Sequence, residues 1–128
     1  MLTSLYAALL ALLLILLSGR ISLLRKKHHV GINDGGSSAL ARAIRVQANF
    51  VEYVPFALLL LLLVELQQAQ RELIHGIGIA LIVGRVLHAY GLGRTAGSSI
   101  GRFIGTGLTW GVILFMAGWL LLRFATHG

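Results

Sequence analysis

The sequence predicts an all-α integral membrane protein in which residues 1–128 form a single domain, a bundle of four transmembrane helices. Its composition is strongly apolar: 57% of the 128 residues are hydrophobic and only 12% are charged, with a mean hydropathy of +0.86. A soluble domain of this size cannot bury that much apolar surface. Four apolar runs, each close to or above the ~20 residues that cross a bilayer, lie at about residues 2–24, 40–66, 73–91 and 101–124.

The first run is predicted to be a retained helix rather than a signal peptide. It lacks a basic n-region, and its apolar stretch from Leu2 to Leu17 is longer than the usual core of a signal peptide. The turn-forming sequence Gly31-Ile32-Asn33-Asp34-Gly35-Gly36 then predicts a plain loop between the first two helices. This loop has too few carboxylates for an EF-hand and lacks the Gly-Lys-Ser/Thr of a phosphate loop.

Glycine is concentrated in the third and fourth runs. The fourth contains Gly101-x-x-x-Gly105 and Gly107-x-x-x-Gly111, a spacing that lets two helix backbones approach closely. We therefore expect the fourth helix to pack tightly, either within the subunit or against a neighbouring subunit.

The cations lie mostly between the apolar runs. By the positive-inside rule they predict that the first and third connections are cytoplasmic and that both termini are outside. The formal net charge of +7 does not predict a nucleic-acid partner, because the cations form no continuous basic face with interleaved aromatics. The cations of these two connections are Arg25, Lys26, Lys27, Arg42 and Arg45, then Arg94 and Arg102.

The chain has no cysteine, so it has no thiol nucleophile of its own. Any thiol chemistry must therefore use a bound thiol. No metal site is predicted either, because the adjacent His28 and His29 would not share a helix face.

Polar residues recur at steps of three and four through the start of the second run, which places them on one helix face. An ionisable group at membrane depth costs at least a few kcal/mol, so it usually faces the bundle interior, a partner or a polar ligand. Pro55 cannot donate to the carbonyl of Val51, so we expect it to kink the helix beside Glu52. The stripe comprises Arg42, Arg45, Asn49, Glu52 and Phe56, with Tyr53 beside it.

The third run supplies a second stripe, Arg85, His88 and Leu92. Glu52 and Arg85 have similar predicted depths, roughly 9 Å from the ends of their helices at ~1.5 Å per residue. One interpretation is therefore a buried Glu52–Arg85 ion pair that fixes helix register, with Asn49 as an interhelical hydrogen bond.

The other interpretation is a ligand site, and the two do not exclude each other. One ion pair leaves Arg42, Arg45, Gln47 and Tyr53 unexplained, because it does not require so many polar groups near the cytoplasmic mouth. A ligand with several carboxylates and an amine would use them all.

Two motifs stand out, Arg45-x-Gln47-x-Asn49-x-x-Glu52-Tyr53-x-Pro55 in the second run and Gly84-Arg85-x-x-His88-x-x-Gly91 in the third. They resemble a known family, the membrane-associated proteins in eicosanoid and glutathione metabolism (MAPEG), which includes microsomal glutathione transferases and leukotriene C4 synthase. Length, the four-helix layout and the cytoplasmic first loop also agree, so the resemblance covers nearly the whole chain.

The resemblance implies a homotrimer that binds glutathione between subunits at the cytoplasmic side of the membrane, expected to be a bacterial inner membrane. Arg45 and Arg25 suit the two carboxylates of glutathione, and Glu52 suits its ammonium group. Gln47 and Asn49 suit its peptide groups. The full set of predicted glutathione-binding residues is Arg25, Arg42, Arg45, Gln47, Asn49, Glu52, Tyr53, Arg85 and His88.

The resemblance also implies catalysis, either transfer of the thiol to lipophilic electrophiles or reduction of lipid hydroperoxides. The thiol must be held as a thiolate by nearby positive charge, for which Arg94 and Arg102 are the candidates. Active members of the family have tyrosines near the end of helix three, where this chain has His88 and Leu92. The sequence therefore predicts glutathione binding and leaves turnover open.

Two other functions compete with this one, and the sequence argues against the second of them. A non-catalytic relative would keep the trimer and the pocket and bind lipid or partner proteins. A small four-helix proton-coupled exporter would be expected to place its essential carboxylate in the first helix, which contains none.

Overall fold

A computed structural model of the protein describes residues 1–94 and 99–128, with the side chains of residues 1–91 and 99–128. Its helices are α1 (Leu2–His28), α2 (Ser38–Leu66), α3 (Arg71–Arg94) and α4 (Ile100–His127). All four are long and apolar enough to cross a membrane, which confirms the predicted four-helix membrane fold.

The helices extend past the apolar runs because polar residues stabilise their ends. The last turn of α1 contains Arg25, Lys26, Lys27 and His28, and cations near a helix C-terminus interact favourably with the helix dipole. At the start of α2, Ser37 Oγ accepts a hydrogen bond from Leu40 N at 3.2 Å, a standard N-cap.

The predicted turn segment forms the connection between α1 and α2. Gly35 and Gly36 have φ angles of 57° and 82°, in the left-handed region that glycine adopts most readily. Asp34 Oδ1 accepts a hydrogen bond from Gly36 N at 2.8 Å, so the aspartate side chain closes the turn.

The four helices run up and down, so the ends of α1 and α3 lie at the same end of the bundle as the starts of α2 and α4. We call this the basic end, because Arg25, Arg42, Arg45 and Arg102 lie near it. At the opposite end the side chain of Glu65 accepts hydrogen bonds from Leu2 N and Thr3 N. A carboxylate at the end of α2 thereby caps the start of α1, which has no acidic residue in its own first turn.

One apolar stripe of α2 faces the bundle core. It consists of buried residues at steps of three and four: Val46, Phe50, Val54, Ala57, Leu61 and Val64. All of them except Val46 belong to one cluster with buried Leu10, Ile74, Leu81 and Met116 from the other helices. Since this stripe occupies the inner face of α2, the residues of the predicted polar stripe lie either at the edge of the core or outside it.

The contact between α3 and α4 depends on glycine. A Cβ on Gly105 would lie 2.6 Å from His88 N, and a Cβ on Gly84 would lie 3.1 Å from Gly105 O. The motif Gly101-x-x-x-Gly105 therefore packs within the subunit. By contrast, a Cβ on Gly107 or Gly111 would meet no atom of the other described helices within 4 Å, so the second motif faces away from the bundle.

Candidate functional site

The outer face of α2 carries an ion pair between Arg45 and Glu52. Arg45 Nη1 and Nη2 donate to Glu52 Oε1 and Oε2, each at 3.3 Å. The two residues are seven positions apart, about two helical turns or 10 Å, so both side chains extend along the helix to meet. Planar guanidinium and carboxylate groups aligned in this way are suited to two-point recognition.

This pair is only half buried: the side chains of Arg45 and Glu52 are 52% and 50% exposed. Exposing two charges at this position to lipid tails would cost free energy. Because the pair is not enclosed by the bundle core, a ligand with charges of both signs could exchange partners with it. The arrangement favours a surface that meets a polar ligand or another protein chain.

Asn49 lies between these two residues and is held from inside the bundle. Arg85 of α3 donates from Nη2 to Asn49 Oδ1 at 2.6 Å, and from Nη1 to Thr109 Oγ1 at 3.3 Å. The Arg85 guanidinium also lies 6.0 Å from the centre of the Phe50 ring, within range of a cation–π interaction.

The suggested ion pair between Glu52 and Arg85 is replaced by a different arrangement within the subunit. Glu52 bonds to Arg45, whereas Arg85 bonds to Asn49, one helical turn nearer the basic end. Arg85 is only 2% exposed, so it has almost no surface of its own for a ligand and reaches the outer face of α2 through Asn49.

His88 is buried beside Arg85. It is 2% exposed, and its Nδ1 atom lies 3.5 Å from Arg85 Nη2. His88 therefore lies against the guanidinium of Arg85 inside the bundle.

Three other predicted site residues lie near the basic end with partners from their own subunit. Gln47 Nε2 donates to Ser18 Oγ at 3.3 Å, which links α2 to α1. Arg25 Nη1 donates to the carbonyl of Asn33 at 2.8 Å, which ties the first connection to α1. Arg42 is half buried one turn before Arg45.

Tyr53 faces α4 rather than the ion pair. Its ring centre lies 6.4 Å from that of Trp110, and the two rings line a cavity of about 190 Å³ with Ile113 and Leu114. No sequence pattern singles out Trp110, because it lies within an apolar run.

Of the two candidate arginines for thiolate stabilisation, only Arg102 has a side chain among the described residues. The side chain of Arg94 lies outside them, as does that of Leu92. Arg102 lines a cavity of about 350 Å³ with Ser99, Phe103 and Thr106 at the start of α4. Ser99 Oγ also accepts a hydrogen bond from Arg102 N at 3.1 Å, which caps this helix.

A phenol near the end of α3 was missed by the sequence analysis. Tyr90 is 60% exposed and lines a cavity of about 440 Å³ between α3 and α4. Its position inside the second motif, between His88 and Gly91, is the signal that could have found it. The other residues lining this cavity are mainly apolar: Leu87, Gly91, Ser99, Ile100, Gly101 and Ile104.

Comparison with known proteins identifies the family. The sequence model of the MAPEG family matches residues 3–122. The chain belongs to the MAPEG family. It is also 44% identical over 91 residues to the inner membrane protein YecN of Escherichia coli strain K12, covering 71% of this chain and 70% of that protein. The same figures hold for YecN of E. coli O6:H1 strain CFT073.

MAPEG membership confirms the resemblance inferred from the two motifs. Both motifs lie within the matched residues 3–122, and the structure brings them together through the Arg85–Asn49 hydrogen bond. The name of the E. coli relative describes a membrane location and no activity.

Proposed function

We propose that this MAPEG protein binds glutathione at the outer face of α2 and uses it as a co-substrate for transfer to lipophilic electrophiles or for reduction of lipid hydroperoxides. The observation that carries the proposal is the half-exposed, bidentate ion pair of Arg45 and Glu52 beside Asn49.

The pair matches the charges of glutathione. The γ-glutamyl end of glutathione carries a carboxylate and an ammonium group on one carbon atom. On binding, the carboxylate would replace Glu52 as the partner of Arg45, and the ammonium group would replace Arg45 as the partner of Glu52. Both protein charges keep an opposite partner, and the exchange forms new charge-assisted hydrogen bonds.

The remaining predicted residues would complete the site. Asn49 and Gln47 would bind peptide groups, Arg25 and Arg42 would lie near the second carboxylate, and Tyr53 would be a further contact. Arg85 and His88 are buried, so we assign them to the support of this surface.

The site requires a neighbouring subunit. Half-exposed charges in a membrane-spanning helix favour a face covered by another chain, and the family resemblance implies a homotrimer with glutathione between subunits. We propose the inner membrane as the location, on the likeness to the inner membrane protein YecN, with the basic end in the cytoplasm by the positive-inside rule.

Catalysis would require the glutathione thiol to lose its proton and attack the electrophile as a thiolate. Arg102 is our candidate for holding that thiolate, because it lines the cavity at the start of α4. The neighbouring apolar cavity at Tyr90 would admit a lipophilic substrate from the bilayer. Ser99 lines both cavities, so the two substrates would approach each other there.

A second candidate function is a non-catalytic MAPEG protein that keeps the site and binds lipid or a partner protein. The observation that favours it is His88, which stands where active members resemble one another in having a tyrosine and which is buried here. Glutathione binding without thiolate formation would be its signature.

The experiment is ultraviolet difference absorbance of the purified protein in detergent on addition of glutathione, with calorimetry on the same sample. A thiolate signal that is lost in Arg102→Gln and retained in Arg71→Gln, a control at the opposite end, supports the catalytic proposal. Binding without thiolate supports the second candidate. If glutathione does not bind, both candidate functions are contradicted, because each assumes a glutathione site.

A further inference from the structure

A chain of hydrogen bonds leads from α4 to the outer face of α2. Thr109 Oγ1 donates to the carbonyl of Gly105 at 2.9 Å. Arg85 Nη1 donates to Thr109 Oγ1 at 3.3 Å, and Arg85 Nη2 donates to Asn49 Oδ1 at 2.6 Å. Each of the three helices α2, α3 and α4 contributes at least one side chain to this chain of bonds.

The direction of each bond is set by chemistry. A guanidinium group has only donors, so Asn49 must turn its carbonyl oxygen towards Arg85. The hydroxyl of Thr109 has a single proton, which it gives to Gly105, so its oxygen is left to accept from Arg85. The Asn49 side chain therefore keeps its two N–H donors for groups other than Arg85.

Burial makes the Arg85 position depend on these partners. Thr109 is fully buried at 0% exposure and Arg85 is 2% exposed, so water cannot replace a missing bond. Within the described part of the chain, Arg85 Nε is buried and has no hydrogen-bond partner. The guanidinium is therefore located by its two Nη groups, through Asn49 and Thr109, together with His88 and Phe50.

We propose that Thr109 is a positioning residue for glutathione binding, which holds Arg85 so that Asn49 presents its NH₂ group to an acceptor oxygen of the ligand. This inference rests on the proposed function, because the ligand is the one assigned there. It assigns a role to a residue of α4 that lies behind the ligand and does not touch it.

The alternative is that Thr109 only satisfies a buried cation and stabilises the fold. The two roles differ in one respect. If Thr109 acts through Asn49, its effect on glutathione affinity must disappear when Asn49 is removed, whereas an effect on overall stability must persist.

The test is calorimetric titration of glutathione into the purified full-length protein in detergent. Thr109→Val keeps the shape of the side chain and removes the hydroxyl, whereas Thr109→Ser keeps the hydroxyl. Val112→Ala is the control, a substitution at a buried position of α4 one turn further along the helix. Thermal unfolding of each variant in the same detergent reports stability separately.

We expect Thr109→Val to weaken glutathione binding roughly five- to tenfold, the scale of one typical hydrogen bond. Thr109→Ser should restore at least half of that loss on a logarithmic scale. Val112→Ala should lower the unfolding temperature and leave the affinity within twofold. In an Asn49→Ala background, Thr109→Val should cause no further loss.

Two results would overturn the inference. The positioning role alone is contradicted if the wild-type protein binds glutathione and Thr109→Val binds it equally well. It is also contradicted if Thr109→Val lowers the affinity by the same factor in the Asn49→Ala background as in the wild type. Wild-type protein that does not bind glutathione defeats the proposed function, and the positioning role with it.

Discussion

Asn49 Oδ1 of α2 accepts a 2.6 Å hydrogen bond from Nη2 of the buried Arg85 of α3. This bond links the interior of the bundle to the face of α2 that carries Arg45 and Glu52. It explains how an arginine that is 2% exposed can affect a surface site, because it fixes the orientation of a side chain at the edge of that site.

Arg45→Ala should weaken glutathione binding by about tenfold or more. The substitution removes a charge-assisted hydrogen bond to a carboxylate, which contributes about 1.5 kcal/mol or more. Calorimetric titration measures the change. Arg71→Ala is the matched control, since it removes an exposed arginine at the opposite end of the bundle, and an equal loss in both variants would indicate a general charge effect instead of a site.

Glu52→Gln should make the protein indifferent to the ammonium group of its ligand. Glutamine keeps the shape of the side chain but loses the charge that would bind the ammonium. Wild-type protein should bind glutathione several-fold more tightly than an analogue lacking the α-amino group, and Glu52→Gln should bind the two compounds equally. A preference that survives the substitution would assign the ammonium group to another residue.

Gly105→Ala should destabilise the fold by about 1–3 kcal/mol, because its Cβ would lie 2.6 Å from His88 N and force α3 and α4 apart. Gly107→Ala should be neutral or slightly stabilising, because its Cβ would meet no atom and alanine favours helices. Thermal unfolding in detergent compares them. Equal losses would mean that α4 is rotated from the position described.

Glu65→Ala should lower stability by about 1–2 kcal/mol without changing glutathione affinity. The carboxylate of Glu65 caps α1 by accepting hydrogen bonds from Leu2 N and Thr3 N. Its contribution to stability should match that of other N-caps. Glu72→Ala is the control, because Glu72 is an exposed carboxylate in the first turn of α3. Unchanged unfolding of Glu65→Ala would contradict the cap.

The fold was predictable from the sequence because apolar runs of membrane length allow few alternatives. The face containing Arg45, Asn49 and Glu52 was also predictable, since helical period alone aligns these residues. The pairing across helices was not. Asn49 and Glu52 differ in height by one turn, and a depth estimate from helix ends is no finer than that, so it could not decide which of them meets Arg85.

The residues of α4 that contact α2 and α3 could not be predicted for a related reason. The two glycine motifs have the same spacing, and only the rotation of α4 about its axis determines that Gly105 meets α3 while Gly107 faces outwards. The same rotation brings Thr109 to Arg85 and Trp110 to Tyr53. A threonine and a tryptophan inside an apolar run carry no sequence signal of such contacts.

The most direct test of the glutathione site exchanges the charges of its ion pair. The double variant Arg45→Glu with Glu52→Arg keeps an ion pair at the same two positions and reverses its polarity. Calorimetric titration with glutathione is the measurement, and thermal unfolding verifies that the fold is kept. We predict that wild-type protein binds glutathione and that the exchanged variant remains folded but binds at least about tenfold more weakly. Equal binding by the two proteins, or no binding by the wild type, would contradict the assignment of Arg45 and Glu52 to glutathione.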